Sequence, residues 1–127
     1  EAPARAGRLA DAIEAYVRLY DWVTFPELLR RLEPFAEVTG TISLELVPNV
    51  ILWVDMSEAF ADAIQQLQQE QRIWPWPASV MTYMIDGGLL TIPVARRLPK
   101  GGYKKEHWLP VCYRLLDPGE KPRKRTR

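Results

Sequence analysis

The chain has 127 residues, 47% of them hydrophobic and 26% charged, with a formal net charge of +1. That length and balance suit one globular domain burying about two thirds of its unfolded surface, and they argue against wholesale disorder. No apolar run approaches the roughly 20 residues that span a bilayer, the opening EAPARAG has no hydrophobic signal core, and a lone cysteine excludes an internal disulfide, so a soluble, cytoplasmic protein is expected.

Residues 5–20 place Leu9, Ala12, Ile13, Tyr16, Val17 and Tyr20 at steps of three and four, which predicts an amphipathic helix with these six on its buried face. Asp11 and Glu14 toward its start and Arg18 toward its end suit the helix macrodipole. Thr24 stands three residues before Glu27 with the spacing of a capping box, and Val23 and Leu28 are placed as a hydrophobic staple. A second helix therefore starts at Phe25, turns Leu28, Leu29 and Leu32 inward, and ends near Glu33, because the residue before Pro34 is pushed out of the α region. Residues 21–24 leave room only for a sharp turn between the two helices.

Over residues 41–55 the period changes. Ile42, Leu44 and Leu46 alternate with Thr41, Ser43 and Glu45, which predicts a half-buried strand, and Pro48-Asn49 suit the centre of a turn. Val50 to Val54 is nearly all apolar and reads as a more central strand, so the two should form a hairpin. A third helix is expected from about Ser57 to Arg72, capped by Asp55 or Ser57, with Phe60, Ala63, Ile64 and Leu67 buried. Trp74, Pro75, Trp76 and Pro77 cannot continue it and should lie extended. Val80–Ile85 and Leu89–Val94, rich in β-branched and aromatic residues and separated by Asp86-Gly87-Gly88, read as a second hairpin, with Pro93 placing its later strand at an edge. Residues 96–105 read as a basic, glycine-rich loop, and 107–116 as a last strand. The expected organisation is one domain over 1–117 followed by a basic tail, 118–127.

The near-neutral total conceals an asymmetry. Residues 1–95 hold six Lys and Arg against thirteen Asp and Glu, a net of −7, whereas residues 96–127 hold eleven against three, a net of +8. A basic segment on an acidic body suggests a contact with polyanions. The candidates are Arg96, Arg97, Lys100, Lys104 and Lys105 in the loop and Lys121, Arg123, Lys124, Arg125 and Arg127 in the tail, as phosphate contacts that do not read sequence; the other reading of these charges is plain solubility. Gln65, Gln66, Gln68 and Gln69 on the third helix have amides suited to adenine edges, or they form a solvated face. Trp74 and Trp76 could serve as a stacking platform or a ledge for a partner, or pack like most tryptophans. Trp22, Trp53 and Trp108 sit in apolar contexts and are expected in the core, as is Cys112 within WLPVCYRLL.

Nothing in the sequence assembles an active site. His107 is the only histidine, Cys112 lies an odd separation away and so on the opposite face of a strand, no zinc spacing occurs, and no phosphate-binding glycine motif is present. The expectation is a non-enzymatic protein without cofactor, metal, small-molecule substrate or membrane association.

A helix running through WPWP into a glycine-containing hairpin, after two earlier helices, resembles the element order of winged helix-turn-helix domains. Residues 60–93 are also similar to the helix and hairpin in the C-terminal domains of conjugative relaxases, including a Leu-x-x-Pro-like end. One departure is the pair of strands expected over 34–55, where a winged helix has a short turn. The resemblance implies an α+β, winged-helix-like domain of three helices and antiparallel hairpins that binds DNA, as an accessory part of a DNA-processing or regulatory protein. The alternative is a protein–protein interaction module in a larger assembly, or a homodimer, using the glutamine face or WPWP.

Overall fold

The computed structural model describes residues 2–117. Among them the chain forms α1 (Ala2–Tyr20), α2 (Phe25–Leu32), β1 (Thr39–Val47), β2 (Val50–Met56), α3 (Glu58–Gln69), β3 (Trp74–Pro77), α4 (Val80–Ile85), β4 (His107–Trp108) and β5 (Val111–Arg114). The fold is mixed α+β. No described helix is long and apolar enough to cross a membrane.

The first two helices follow their sequence signals, except that Glu33, expected outside the α region because it precedes Pro34, stays right-handed α at φ −52°, ψ −41°. Thr24 caps α2, its hydroxyl accepting from the Glu27 N–H, and both staple residues, Val23 and Leu28, are fully buried. On α1 the buried stripe is Leu9, Ala10, Ile13 and Val17, narrower than the expected face. Ala12 is exposed, Tyr16 is half-buried and Tyr20 lies in solvent. The stripe faces α3, the element α1 packs against most, whose own buried residues are Phe60, Ala61, Ala63, Ile64 and Leu67. Ser57 caps α3 by accepting from the Phe60 N–H.

The three-stranded sheet has the order β1-β2-β4, with β1 antiparallel and β4 parallel to the central β2. Burial on both faces explains why Val50, Ile51, Leu52 and Trp53 are apolar without alternation. The turn is Pro48-Asn49, with Asn49 at φ 62°, a conformation asparagine tolerates. The alternation expected for β1 is only partly realised: Leu44 is buried, but Ile42 and Leu46 are more than a third exposed. Irregularities in the β1–β2 register rotate side chains out of simple alternation.

WPWP is extended, as its prolines require, and pairs antiparallel with β5. The main correction concerns residues 80–94, where no hairpin forms. Val80–Ile85 is a helix capped by Ser79, whose hydroxyl accepts from the Thr82 N–H. Asp86-Gly87-Gly88 ends it. The Gly87 N–H donates to the Met84 carbonyl and the Gly88 N–H to the Tyr83 carbonyl, with Gly87 at φ 88°; this is the Schellman helix stop. A positive-φ glycine serves a hairpin turn and a helix end equally well, and the tertiary contacts choose. Tyr83 is fully buried against Trp53 and Trp108 and its hydroxyl donates to the Val111 carbonyl at 2.6 Å. At Gly88 any Cβ would lie 2.7 Å from Pro26 and about 3 Å from Trp53. Residues 89–94 cross to β4 without forming a strand. The wing on which the winged-helix likeness rested is therefore absent from this segment.

The expected last strand is broken at Leu109-Pro110 into β4 and β5, which belong to different sheets. Trp53, Trp108 and Cys112 are buried as expected, while Trp22 is 49% exposed and lies outside the core.

Candidate nucleic-acid interface

Loop 96–105 is held at both ends and in the middle. At its start, the Ala95 N–H donates to the Trp108 carbonyl at 2.7 Å. In the middle, Gly102 at φ 79° lies so close to the Pro48 carbonyl that a Cβ would fall 2.0 Å from its oxygen. The approach places the Tyr103 N–H on that same carbonyl at 3.1 Å, and the Asn49 amide donates to the Tyr103 carbonyl at 2.8 Å. The Tyr103 hydroxyl reaches back across the loop to the Arg97 carbonyl at 2.6 Å, and its ring stacks on His107 at 3.8 Å. The His107 N–H in turn donates to the Asn49 carbonyl. The β1–β2 turn thus serves as the anchor, and only a glycine at 102 permits it.

Five cations stand on this loop: Arg96, Arg97, Lys100, Lys104 and Lys105 are exposed. None forms an ion pair among the described residues. The tail candidates Lys121, Arg123, Lys124, Arg125 and Arg127 lie outside the described residues.

Other cations are differently placed. Arg72 lies within 2.6–2.9 Å of carboxylate oxygens of Asp11, Glu14 and Glu70, and these bonds raise its already high pKa. Arg114 forms a fork-to-fork pair with Asp21, 3.0 Å on each arm, and its guanidinium lies 4.2 Å from the Trp22 ring and 4.7 Å from that of Trp76. Arg114 holds the Asp21 carboxyl below its usual range, against an opposing push from burial. Asp21 and Trp22 both sit at positive φ, 55° and 50°, which is strained for a bulky residue. Paired backbone hydrogen bonds between Val23 and Tyr113 and the Arg114 clamp hold them there. Sequence reasoning missed this cluster because its members lie up to 93 residues apart and no local pattern links them.

The remaining candidates separate. Gln65 and Gln69 are exposed and Gln66 donates to Glu70, but the Gln68 carbonyl accepts from the hydroxyl of fully buried Tyr113. Trp74 and Trp76 are half-buried. The Trp76 indole N–H donates to the Leu116 carbonyl at 2.6 Å and its ring meets Trp22 edge-on, so it is part of the packing. His107 and Cys112 fall in different sheets, and burial pushes the Cys112 thiol up to about 11. Among the described residues no group of three His, Cys, Asp or Glu side chains is placed to hold a metal ion. Comparison of the chain with protein-family models, curated proteins and solved structures finds no match.

Proposed function

We propose that the chain is a nucleic-acid-binding domain whose phosphate-contacting surface is loop 96–105. The observation that carries this reading is the set of five exposed cations, without an ion pair among the described residues, on one anchored loop of an otherwise acidic chain. Like charges held close together repel, and a polyanion relieves the repulsion while giving up its condensed counterions. Lysines and arginines on a loop contact phosphates without reading bases, so binding is weakly sequence-selective and strongly dependent on salt. The tail cations add to the same attraction. The reading does not need a wing or a groove-entering helix; α3 bears acids at Glu58 and Asp62, with Glu70 at its C-cap, that oppose a close approach to phosphates.

The test is a fluorescence-anisotropy salt titration with single-stranded and duplex DNA. If the five loop cations all meet phosphates of a single strand, log K falls against log salt with a slope of about −0.7 per contact. Absence of binding at low salt, or a slope unchanged when the five are replaced by glutamine, refutes the proposal.

A second reading, a protein-interaction module, is favoured by α4, which exposes Met81, Met84 and Ile85 on one face at 62%, 54% and 79%. Flexible methionines suit adaptable contacts. In its homodimeric form this reading requires concentration-dependent association that M84K abolishes; a single monomeric species in sedimentation velocity removes that form.

A further inference from the structure

Beside the loop lies a cleft of about 380 Å³, bounded by β3, the end of β1 and the segment leading into β5. It is lined by Leu46, Pro75, Pro77, Leu98, Leu109 and Pro110 together with the cations Arg96 and Arg97. The volume is near the lower end of the roughly 300–1,000 Å³ typical of small-ligand sites. The three prolines have no N–H to offer, so these walls present flat apolar surface with few donors. A larger hollow of about 620 Å³, between the end of α2 and the start of α3, sets Glu37 against Arg8 and has no excess charge to select a ligand.

We infer that the cleft accepts one unpaired nucleobase while Arg96 and Arg97 hold the phosphates on either side of it, so that the domain prefers single-stranded to duplex nucleic acid. The inference rests on the nucleic-acid reading above and deepens it. Charge complementarity points to the occupant: Arg96 and Arg97 line the cleft, form no ion pair among the described residues and share their loop with Lys100, Lys104 and Lys105, which favours an anion, and the apolar walls favour one that carries a flat, weakly polar group. A nucleotide combines the two. In a duplex the bases are stacked and paired and cannot enter without being flipped out at a cost. With few donors along the walls, recognition is tolerant of base identity, the contact being burial of the base against proline and leucine.

The experiment measures anisotropy of the full chain at low salt with three labelled probes: a short oligothymidylate, an oligonucleotide of the same length made of abasic sites, and a duplex. The oligothymidylate is expected to bind about tenfold tighter than the abasic probe, which has the same phosphates and no bases to bury, and tighter than the duplex. Leu98→Ser should remove most of that difference and leave abasic binding unchanged. Equal affinity for thymidylate and abasic probes overturns the cleft inference and leaves the phosphate-binding loop standing. Failure of all three to bind overturns both. Displacement of thymidylate by polyglutamate at equal charge concentration also overturns the inference, since it marks the surface as one for acidic protein. If Leu98→Ser fails to fold by circular dichroism, the comparison of probes on the unaltered chain decides alone.

Discussion

Arg114 and the cations of loop 96–105 belong to the same basic stretch of sequence, and the fold treats them in opposite ways. Arg114 is gripped by both carboxylate oxygens of Asp21 and flanked by Trp22 and Trp76, so its charge is spent inside the molecule, where it fastens the strained α1–α2 connection to β5. The loop cations have backbone that is equally well fixed, through Gly102 and Tyr103 on the β1–β2 turn, yet their charged ends meet no carboxylate among the described residues. A count of basic residues cannot distinguish the two. What matters for binding is where each charge finds its partner, and a cation neutralised internally contributes stability where a free one contributes attraction.

The comparison can be broken at either end. Replacing Arg96, Arg97, Lys100, Lys104 and Lys105 together by glutamine is expected to lower low-salt affinity for single-stranded DNA by about a hundredfold or more, with the thermal midpoint of unfolding unchanged. A large loss of stability instead would show that the loop cations are structural after all. Arg114→Ala should do the reverse, lowering stability by about 2 kcal/mol through two charge-assisted hydrogen bonds and the aromatic contacts, with affinity nearly intact; urea unfolding and the same anisotropy assay read both.

Thr24 sharpens the structural side. It is fully buried, accepts from the Glu27 N–H and donates to the Asp86 carboxylate at 2.7 Å. Thr24→Val should therefore cost about 1–2 kcal/mol, by losing a cap and leaving Asp86 short of a donor, and it should loosen α4 as well as α2, which hydrogen exchange at Tyr83 would register. The smallest effect is the pH dependence of Asp21. Its folded pKa is depressed, so its contribution is present above the unfolded value of about 3.9 and is lost as pH falls through the lower folded value. The Asp21 side chain is 43% exposed, which limits the contribution to below about 1 kcal/mol. Asp21→Asn should flatten the acid limb of the stability curve, measured by thermal melts across that range, and should do so less in Arg114→Ala than in the unaltered chain.

Legibility tracked the range over which each element is decided. The Thr24 cap, the Val23–Leu28 staple, the buried stripe of α3 and the apolar run of β2 are written in neighbouring residues and were readable. The segment 80–94 was misread because its β-branched and aromatic residues on either side of Asp86-Gly87-Gly88 suit a hairpin, while Ser79, Thr82 and the positive-φ Gly87 satisfy a short capped helix equally well. Burial of Tyr83 between Trp53 and Trp108 and the tight fit of Gly88 on Pro26 settle the matter, and both partners come from distant sequence. Trp22 was misplaced for the same reason. Of the candidate site, the five loop cations were visible as composition, but their lack of ion pairs among the described residues was not.

Local periodicity and capping chemistry therefore determined from sequence the first three helices, the first hairpin and the segregation of charge, because each is settled within a few residues of chain. Tertiary structure alone decided that α4 is a helix, that Arg114 is clamped while its neighbours in sequence are not, and that a proline-walled cleft opens beside Arg96 and Arg97. Each of these depends on which distant surfaces meet, and a contact between residues far apart in the chain leaves no pattern at either end from which to read it.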